Sequence, residues 1–439
     1  MILGIKDTLS MYKLLLLCSS LLLMFGVTNA QRYPGVVYMQ NIKEVKLFTS
    51  GNQQGFALIN LGTEMALQLH FDDLDATVKN FNYTYVLCNA DWQPATLSAF
   101  DYLTGFTQGR INQYRASSVS RTKYFHYQAL LPEKSCMPSK PGNYLLYVYL
   151  NGDTSKLAFT KRILVLNNVA GISTKMTQPF NNNLFRTHQK VSVVVDKSKL
   201  NVLNPQQQLK VHVLQNYRWD NASVNLQPQF IRTNQVEFNA EQDCVFPGGK
   251  EYRWADLRSF RFQSERVDSA DLKTQPFSVW LKDDRERNDL QYLFYQDLNG
   301  FYEVSATDVN NPWWQGDYAK VYFSFTPADN QVYSGKDVYL VGEMLEAYPD
   351  QICKMDFNTE KRIFEKQLLL KQGYYSYTYG TLNTKPAKNE KMSPAETEGN
   401  FWETENTYTI LVYYRSLSGR FDELVGATTI NSRQVQLPR

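Results

Sequence analysis

Short runs in which apolar and polar side chains alternate recur along the whole chain, and they predict β-strands. Residues 45–48, 66–71, 83–87 and 124–127 each place side chains on two faces with a period of two. Residues 139–143, Ser-Lys-Pro-Gly-Asn, carry turn chemistry, and 144–150, Tyr-Leu-Leu-Tyr-Val-Tyr-Leu, are the best strand candidate in the chain. Asn151-Gly152 matches a type I′ hairpin turn, returning the chain through 157–166. A first unit therefore ends near Asn167 and Asn168.

Asn181-Asn182-Asn183, after Gln178-Pro179, reads as a polar connection. Strand patterns resume at 189–195, 209–215, 235–238 and 277–281, and a last hairpin pairs 290–296 with 301–307 through Asn299-Gly300. Asn310-Asn311-Pro312 is the next break. Further strands are expected at 318–325, 338–341, 364–370, 374–379 and 408–415, with 383–400 as a mobile polar loop. The pattern predicts an all-β protein of about three tandem immunoglobulin-like β-sandwiches: 31–168, 180–312 and 316–437.

Residues 11–30 break this pattern. Lys13 precedes an apolar run from Leu14 to Val27, and Thr28-Asn29-Ala30 puts small residues at −3 and −1 before Gln31. This is the layout of a signal peptide over residues 1–30, with Met11 the more natural start; the apolar core is too short for a membrane span. Cys18 sits inside the apolar run, whereas a lipoprotein cysteine ends it after a small residue. The mature chain is expected to be exported and soluble, in the periplasm.

Composition narrows the class further. With 29 Tyr, 25 Phe and a formal charge of only +3, the chain favours pleated, half-buried surfaces and gives no footprint for nucleic acid or an anionic membrane. No second apolar stretch approaches a spanning length, so membrane association would run through another protein. Cys88, Cys136, Cys244 and Cys353 are scattered singly, without CxxC spacing or a nearby His, and imply no metal site. Cys88 and Cys136 can either pair in an oxidising compartment or stay as buried thiols.

Nothing in the chain forms a nucleophile system, and no cofactor motif is present. His70, His126, His188 and His212 lie singly in strand contexts, where packed or hydrogen-bonded histidines are expected. Asp72, Asp73 and Asp75 read as a solvated turn after a strand, and 297–300 as the Asn-Gly hairpin rather than a calcium loop. Arg218 and Trp219, Trp313 and Trp314, and Trp402 differ in character. Aromatic and Arg clusters at strand ends suit partner-binding anchors, and they equally suit seams between domains.

Several of these clusters carry a resemblance. Leu87-Cys88-Asn89-Ala90-Asp91-Trp92 with Pro94, residues 101–106, Gln215 to Asn221 and Glu251-Tyr252-Arg253-Trp254 are similar to motifs of the plug protein of the Bacteroidota type IX secretion system. Residues 371–377, Glu398-Gly399-Asn400 with Thr404-Glu405-Asn406, and Arg420-Phe421-Asp422 with Leu424-Val425-Gly426 extend it over nearly the whole mature chain. The resemblance implies a non-enzymatic periplasmic protein without a cofactor. It implies binding to the periplasmic mouth of a large outer-membrane β-barrel translocon and sealing of the empty channel. A rival reading is a periplasmic or surface glycan-binding module, because residues 338–343 and 371–377 are also similar to carbohydrate-binding sandwiches. Trp313, Trp314 and Trp402 would then stack on sugars from an exposed row.

Overall fold

The computed structural model describes residues 34–433 except 225, 346–352 and 389. The expected signal peptide and Cys18 lie outside the described residues. Strands take 45% and helix 4% of the described residues, which makes the protein all-β.

The first unit folds as the alternation predicts. One sheet runs Ile42–Thr49, Leu67–Asp73, Phe125–Leu131, Gln113–Ala116; the other runs Leu58–Asn60, Leu157–Leu166, Gly142–Leu150, Phe81–Cys88, Gly109–Arg110. Leu67, Leu69 and Phe71 from the first meet Tyr83, Tyr85 and Leu146 from the second in a shared core. Asn151 and Gly152 take φ of 54° and 73°, the left-handed pair that a type I′ turn requires.

Beyond residue 170 the sheets do not follow chain order. Gly171–Thr177, His188–Asp196, Gln235–Phe238 and Phe230–Ile231, with Val245–Pro247 beside them, pack over a three-stranded sheet of Leu209–Gln215, Thr407–Tyr414 and Glu423–Asn431. The two C-terminal strands, expected in a third unit, thus close the core begun at Ala170. Between them the chain makes a separate sandwich. One layer contains Arg253–Asp256, Gly373–Asn383, Tyr302–Val304 and Lys336–Val341; the other is built on Val267–Asp271, Phe277–Leu281, Tyr318–Thr326, Ile363–Lys371 and Asp356–Asn358. Its core draws on residues from Ala255 to Met392.

The break expected at 312–316 is therefore not a unit boundary. Phe277–Leu281 pairs in parallel with Tyr318–Thr326 across it, Val279 opposite Val321. The expected hairpin of 290–296 with 301–307 is also absent. Asn299 and Gly300 do take left-handed φ of 50° and 85°, but Asp297 accepts from the backbone amides of Tyr252 and Asn299 and ties the turn sideways. Tyr302–Val304 then pairs with Gly373–Asn383 instead. The 383–400 segment is likewise pinned: Met392, Thr397 and Glu398 are buried, and Thr397 Oγ1 donates to the Tyr379 carbonyl at 2.7 Å.

A fourth apolar cluster explains the near-continuous apolar strands. Leu145, Tyr147 and Tyr149 face away from the first core and pack on Leu214, Leu411, Tyr413 and Leu424 of the three-stranded sheet. Both Gly142–Leu150 and Thr407–Tyr414 are thus covered on two faces, where polar positions would be stranded. Cys88, Cys136 and Cys244 are free thiols, and all three, like Cys353, are buried. Burial pushes the Cys88, Cys136 and Cys244 thiols up to about 12, leaving them inert.

Candidate functional site

The other sheet of the first sandwich turns polar residues outward, and the inserted sandwich buries them. Lys46, Phe48, His70, Asp72 and His126 lie on this face, all with little or no exposure. Asp72 and Asp73 end a strand that is enclosed, so the solvated turn expected at 72–75 is corrected for both. Asp72 Oδ2 accepts from Lys371 Nζ at 2.5 Å and from the Tyr318 hydroxyl at 2.6 Å. Its Oδ1 accepts from His126 Nδ1 at 2.7 Å, and His126 Nε2 in turn accepts from His70 Nδ1 at 3.0 Å. The His70 ring stacks on Trp313 with centroids 3.9 Å apart.

Burial alone would raise the Asp72 carboxyl, but Lys371 and His126 hold it below its ordinary range. Burial lowers both imidazoles, His70 to about 3, so the two rings are neutral. Around this cluster, Asp317 accepts from the amides of Arg121 and Thr122 at 2.7 and 3.0 Å. The Gln53 amide exchanges two hydrogen bonds with the Val304 backbone, at 3.1 and 2.9 Å, in the manner of a β-bridge.

Glu44 is the least satisfied member of this seam. Its Oε1 is buried without a hydrogen-bond partner, and burial raises the carboxyl from 4.5 to about 7, with Lys371 only partly opposing. A carboxyl whose folded pKa is raised stabilises the fold below its unfolded value, and that contribution is lost as pH rises through 7. Relative to wild type, Glu44→Gln should therefore gain about 3 kcal/mol between pH 4.5 and pH 8. Paired chemical-denaturation curves across this range check it; a pH-independent difference would contradict the assignment.

The chain crosses between the second and inserted units at 247–253 and again at 397–406. Arg253 bridges both crossings: Nε and Nη2 donate to the two oxygens of Glu398 at 3.0 Å each, and Nη1 to Asp284 at 3.0 Å. Arg287 also donates to Glu398, which these two cations hold down at about 2 against the effect of burial. At the remaining seam Asp422 accepts from the Ala90 amide at 3.0 Å, Lys210 at 2.9 Å and Arg415 at 2.8 Å.

Where the three sandwiches meet, a cleft of about 220 Å³ opens. Its wall is the turn after Leu209–Gln215. Asn216 and Tyr217 both take left-handed φ, 51° and 58°, which is strained for a bulky residue. Asn216 Nδ2 donates to Asn406 at 2.8 Å and its Oδ1 accepts from the Thr407 amide at 2.8 Å, fixing the turn. Tyr217 is clasped between Phe56 and Phe301, with centroids 4.8 and 5.3 Å away. Arg218 chelates Asp220 through Nε and Nη2 at 3.1 and 2.5 Å. The Arg162 guanidinium lies over the rings of Trp92 and Trp219 at 5.3 and 5.5 Å.

Arg218 and Trp219 thus come together in this cleft, while the other sequence candidates are dispersed. Trp313 is wedged on His70 and Phe48 at the first seam. Trp314 lies under the Arg115 guanidinium, 4.6 Å from its ring centre. Trp402 packs on the second core, its carbonyl accepting from Gln189 at 2.6 Å. All five are half-buried, and the tryptophans form no exposed row. Sequence reasoning missed Asp72, Lys371 and Arg253–Glu398 as paired groups, because each pair is over 100 residues apart. Among the described residues no group of three His, Cys, Asp or Glu side chains is placed to hold a metal.

Residues 42–167, the first sandwich, match the family described as type 9 secretion system plug protein 1st domain. The chain belongs to the type 9 secretion system plug protein family. The crystal structure of a hypothetical protein from Parabacteroides merdae is similar to this plug-family chain at 30% identity and a TM-score of 0.86, over 91% of this chain and 99% of that one. A trypsin-activated alpha-2-macroglobulin from Escherichia coli aligns at 10% identity over 92% of this chain and 29% of its own, but its TM-score of 0.17 carries no argument. No curated protein matches the sequence. The plug-family motifs of the sequence meet pairwise at the seams: Ala90 with Asp422, Arg253 with Glu398, and Asn216 with Asn406. Among the described residues no helix is long and apolar enough to cross a membrane.

Proposed function

We propose that this protein is a non-enzymatic periplasmic stopper that binds the periplasmic opening of the type IX outer-membrane barrel and seals the channel when it is empty. The observation that carries this reading is the family match over the first sandwich. The seams support it on physical grounds. A barrel wide enough for folded cargo leaks small solutes unless its stopper keeps its shape. Here an apolar seam joins the first sandwich to the second, and a buried polar network joins it to the inserted one. A stiff body with half-buried aromatic and Arg anchors such as Arg218, Trp219 and Trp314 can make a large contact that still dissociates, since area does not set affinity.

Deleting the gene should leave cargo secretion largely intact while making the outer membrane permeable to large antibiotics and dyes. A tagged copy should recover a large β-barrel from detergent-solubilised envelopes. An impermeable deletion strain that instead loses growth on one polysaccharide would replace this reading with glycan binding.

A further inference from the structure

An open aromatic platform does exist in this protein, on the outer face of the inserted sandwich. Four neighbouring strands place Ser269, Trp280, Tyr322 and Gln367 side by side in register. At the ordinary strand spacing this row is roughly 14 Å long. The Trp280 and Tyr322 rings are parallel within 6°, with centroids 5.0 Å apart, so one face of the indole is covered. On its other side the register places Ser269, on the edge strand Val267–Asp271. A serine is too small to cover an indole, and Trp280 stays 38% exposed. A larger side chain at 269 would gain apolar burial that the protein forgoes here.

The surroundings define the occupant. A groove of about 900 Å³ runs along this row, within the ~300–1,000 Å³ of ligand sites. A β-bulge after Val267 lets two consecutive side chains, Asp268 and Ser269, line it together. The side chains of Asp268, Ser269, Ser324 and Gln367 make no hydrogen bond with any described residue. They offer carboxylate, hydroxyl and amide groups around an open ring face. A pyranose matches both features: its C–H face lies flat on an aromatic ring, while its hydroxyls each donate and accept at the periphery. Charge excludes acidic sugars. Asp268, Asp283, Asp356 and Glu365 line the groove against Lys361 and Lys366, and those two donate to Glu365 and to the Lys354 carbonyl, each at 2.7 Å. An aromatic anchor for a protein partner needs a rim that keeps water out, and this rim is polar.

We infer that the Trp280–Tyr322 groove binds a neutral glycan chain, with one pyranose ring stacked on the open face of Trp280. The inference does not rest on the sealing reading: it is measured on the purified full mature protein, without a translocon. Cellohexaose, maltohexaose, mannohexaose and xylohexaose, titrated by calorimetry, should include at least one saturable ligand. Hexagalacturonate should bind that site about tenfold more weakly or worse. Trp280→Ala should weaken the neutral ligand by about tenfold or more, with an unchanged melting point, and Trp280→Phe should retain part of the affinity. Ser269→Phe lays a ring over the open face and should abolish binding while leaving Trp280 in place; it also decides the matter if Trp280→Ala does not fold. No saturation by any of the four neutral hexasaccharides, equal affinity for hexagalacturonate, or indifference to Trp280→Ala and Ser269→Phe would overturn the inference. Displacement of the sugar by acetyl-Lys-Ala-Lys-amide at equal concentration would overturn it in favour of a cationic polypeptide.

Discussion

Arg253→Ala is expected to lower the melting temperature by on the order of 10 °C. The guanidinium is the common donor to Glu398 and Asp284, both almost fully buried. Removing one partner of a buried ionic network leaves carboxylates without compensation, a cost of about 3–5 kcal/mol. Arg287 still reaches Glu398 and Arg266 still reaches Asp284, so the protein is weakened rather than abolished. The pH dependence separates this cause from lost packing. Glu398 is depressed in the fold, from 4.5 to about 2, so its contribution is complete above 4.5 and is lost as pH falls through 2. The gap between wild type and variant should therefore be full at pH 7 and close towards pH 2. Arg253→Met with Glu398→Gln, which removes both charges at similar volume, should recover part of the loss. Equal melting curves for wild type and Arg253→Ala at pH 7 would contradict the network's role.

The sequence made the strands of the first sandwich legible because the whole of that unit is local. Its longest strands alternate or run apolar, Asn151-Gly152 supplies the turn, and pairing partners such as Tyr147 and Thr160 lie close along the chain. The interleaving of the other two units was not legible. Val211 pairs opposite Val412 only because the chain returns after an inserted sandwich, and nothing in the period of either strand encodes its partner. The alternation of 408–414 does mark a strand, but a period of two says that a strand has two faces, not which sheets cover them. Residues 383–400 misled for a related reason. A polar, charged composition ordinarily means a solvated loop, but here Glu398 is the counter-charge for Arg253.

Candidate site residues were legible as clusters and illegible as contacts. Arg218 and Trp219 stood out by type, and they do line the cleft. Asp72 did not stand out, because an acidic pair at a strand end reads as exposed. Its burial depends on Lys371, 299 positions away. The two seams of the first sandwich also differ in kind. The Leu145–Leu411 side is apolar and tolerant of small shifts in register, whereas the Asp72–Lys371 side is directional, since each donor must meet its acceptor. Hydrogen bonds of this kind fix one docking geometry among the several that apolar burial would permit.

That difference gives the second large expectation: Lys371→Met should uncouple the first sandwich from the inserted one before either unfolds. Lys371 Nζ is fully buried and donates to Asp72 at 2.5 Å and to the Trp313 carbonyl at 2.6 Å, 4.3 Å above the Tyr124 ring. Methionine conserves much of the volume, so the loss is chiefly the charge, again about 3–5 kcal/mol. Both sandwich cores remain intact, so the cost falls on the seam. Trp313 reports on it, because its ring leaves the stack on His70 when the seam opens. Tryptophan emission should therefore shift at a lower temperature than the far-ultraviolet β signal, where wild type shows the two together. Without Lys371 the Asp72 carboxyl loses the interaction that most strongly holds its pKa down, so its proton affinity rises. The two transitions should then draw together as pH falls, when Asp72 is neutralised in place. Adding Asp72→Asn to Lys371→Met should bring them together at neutral pH as well. Coincident transitions in Lys371→Met itself would mean that the polar seam contributes nothing to docking, and that the apolar seam alone holds the first sandwich in position.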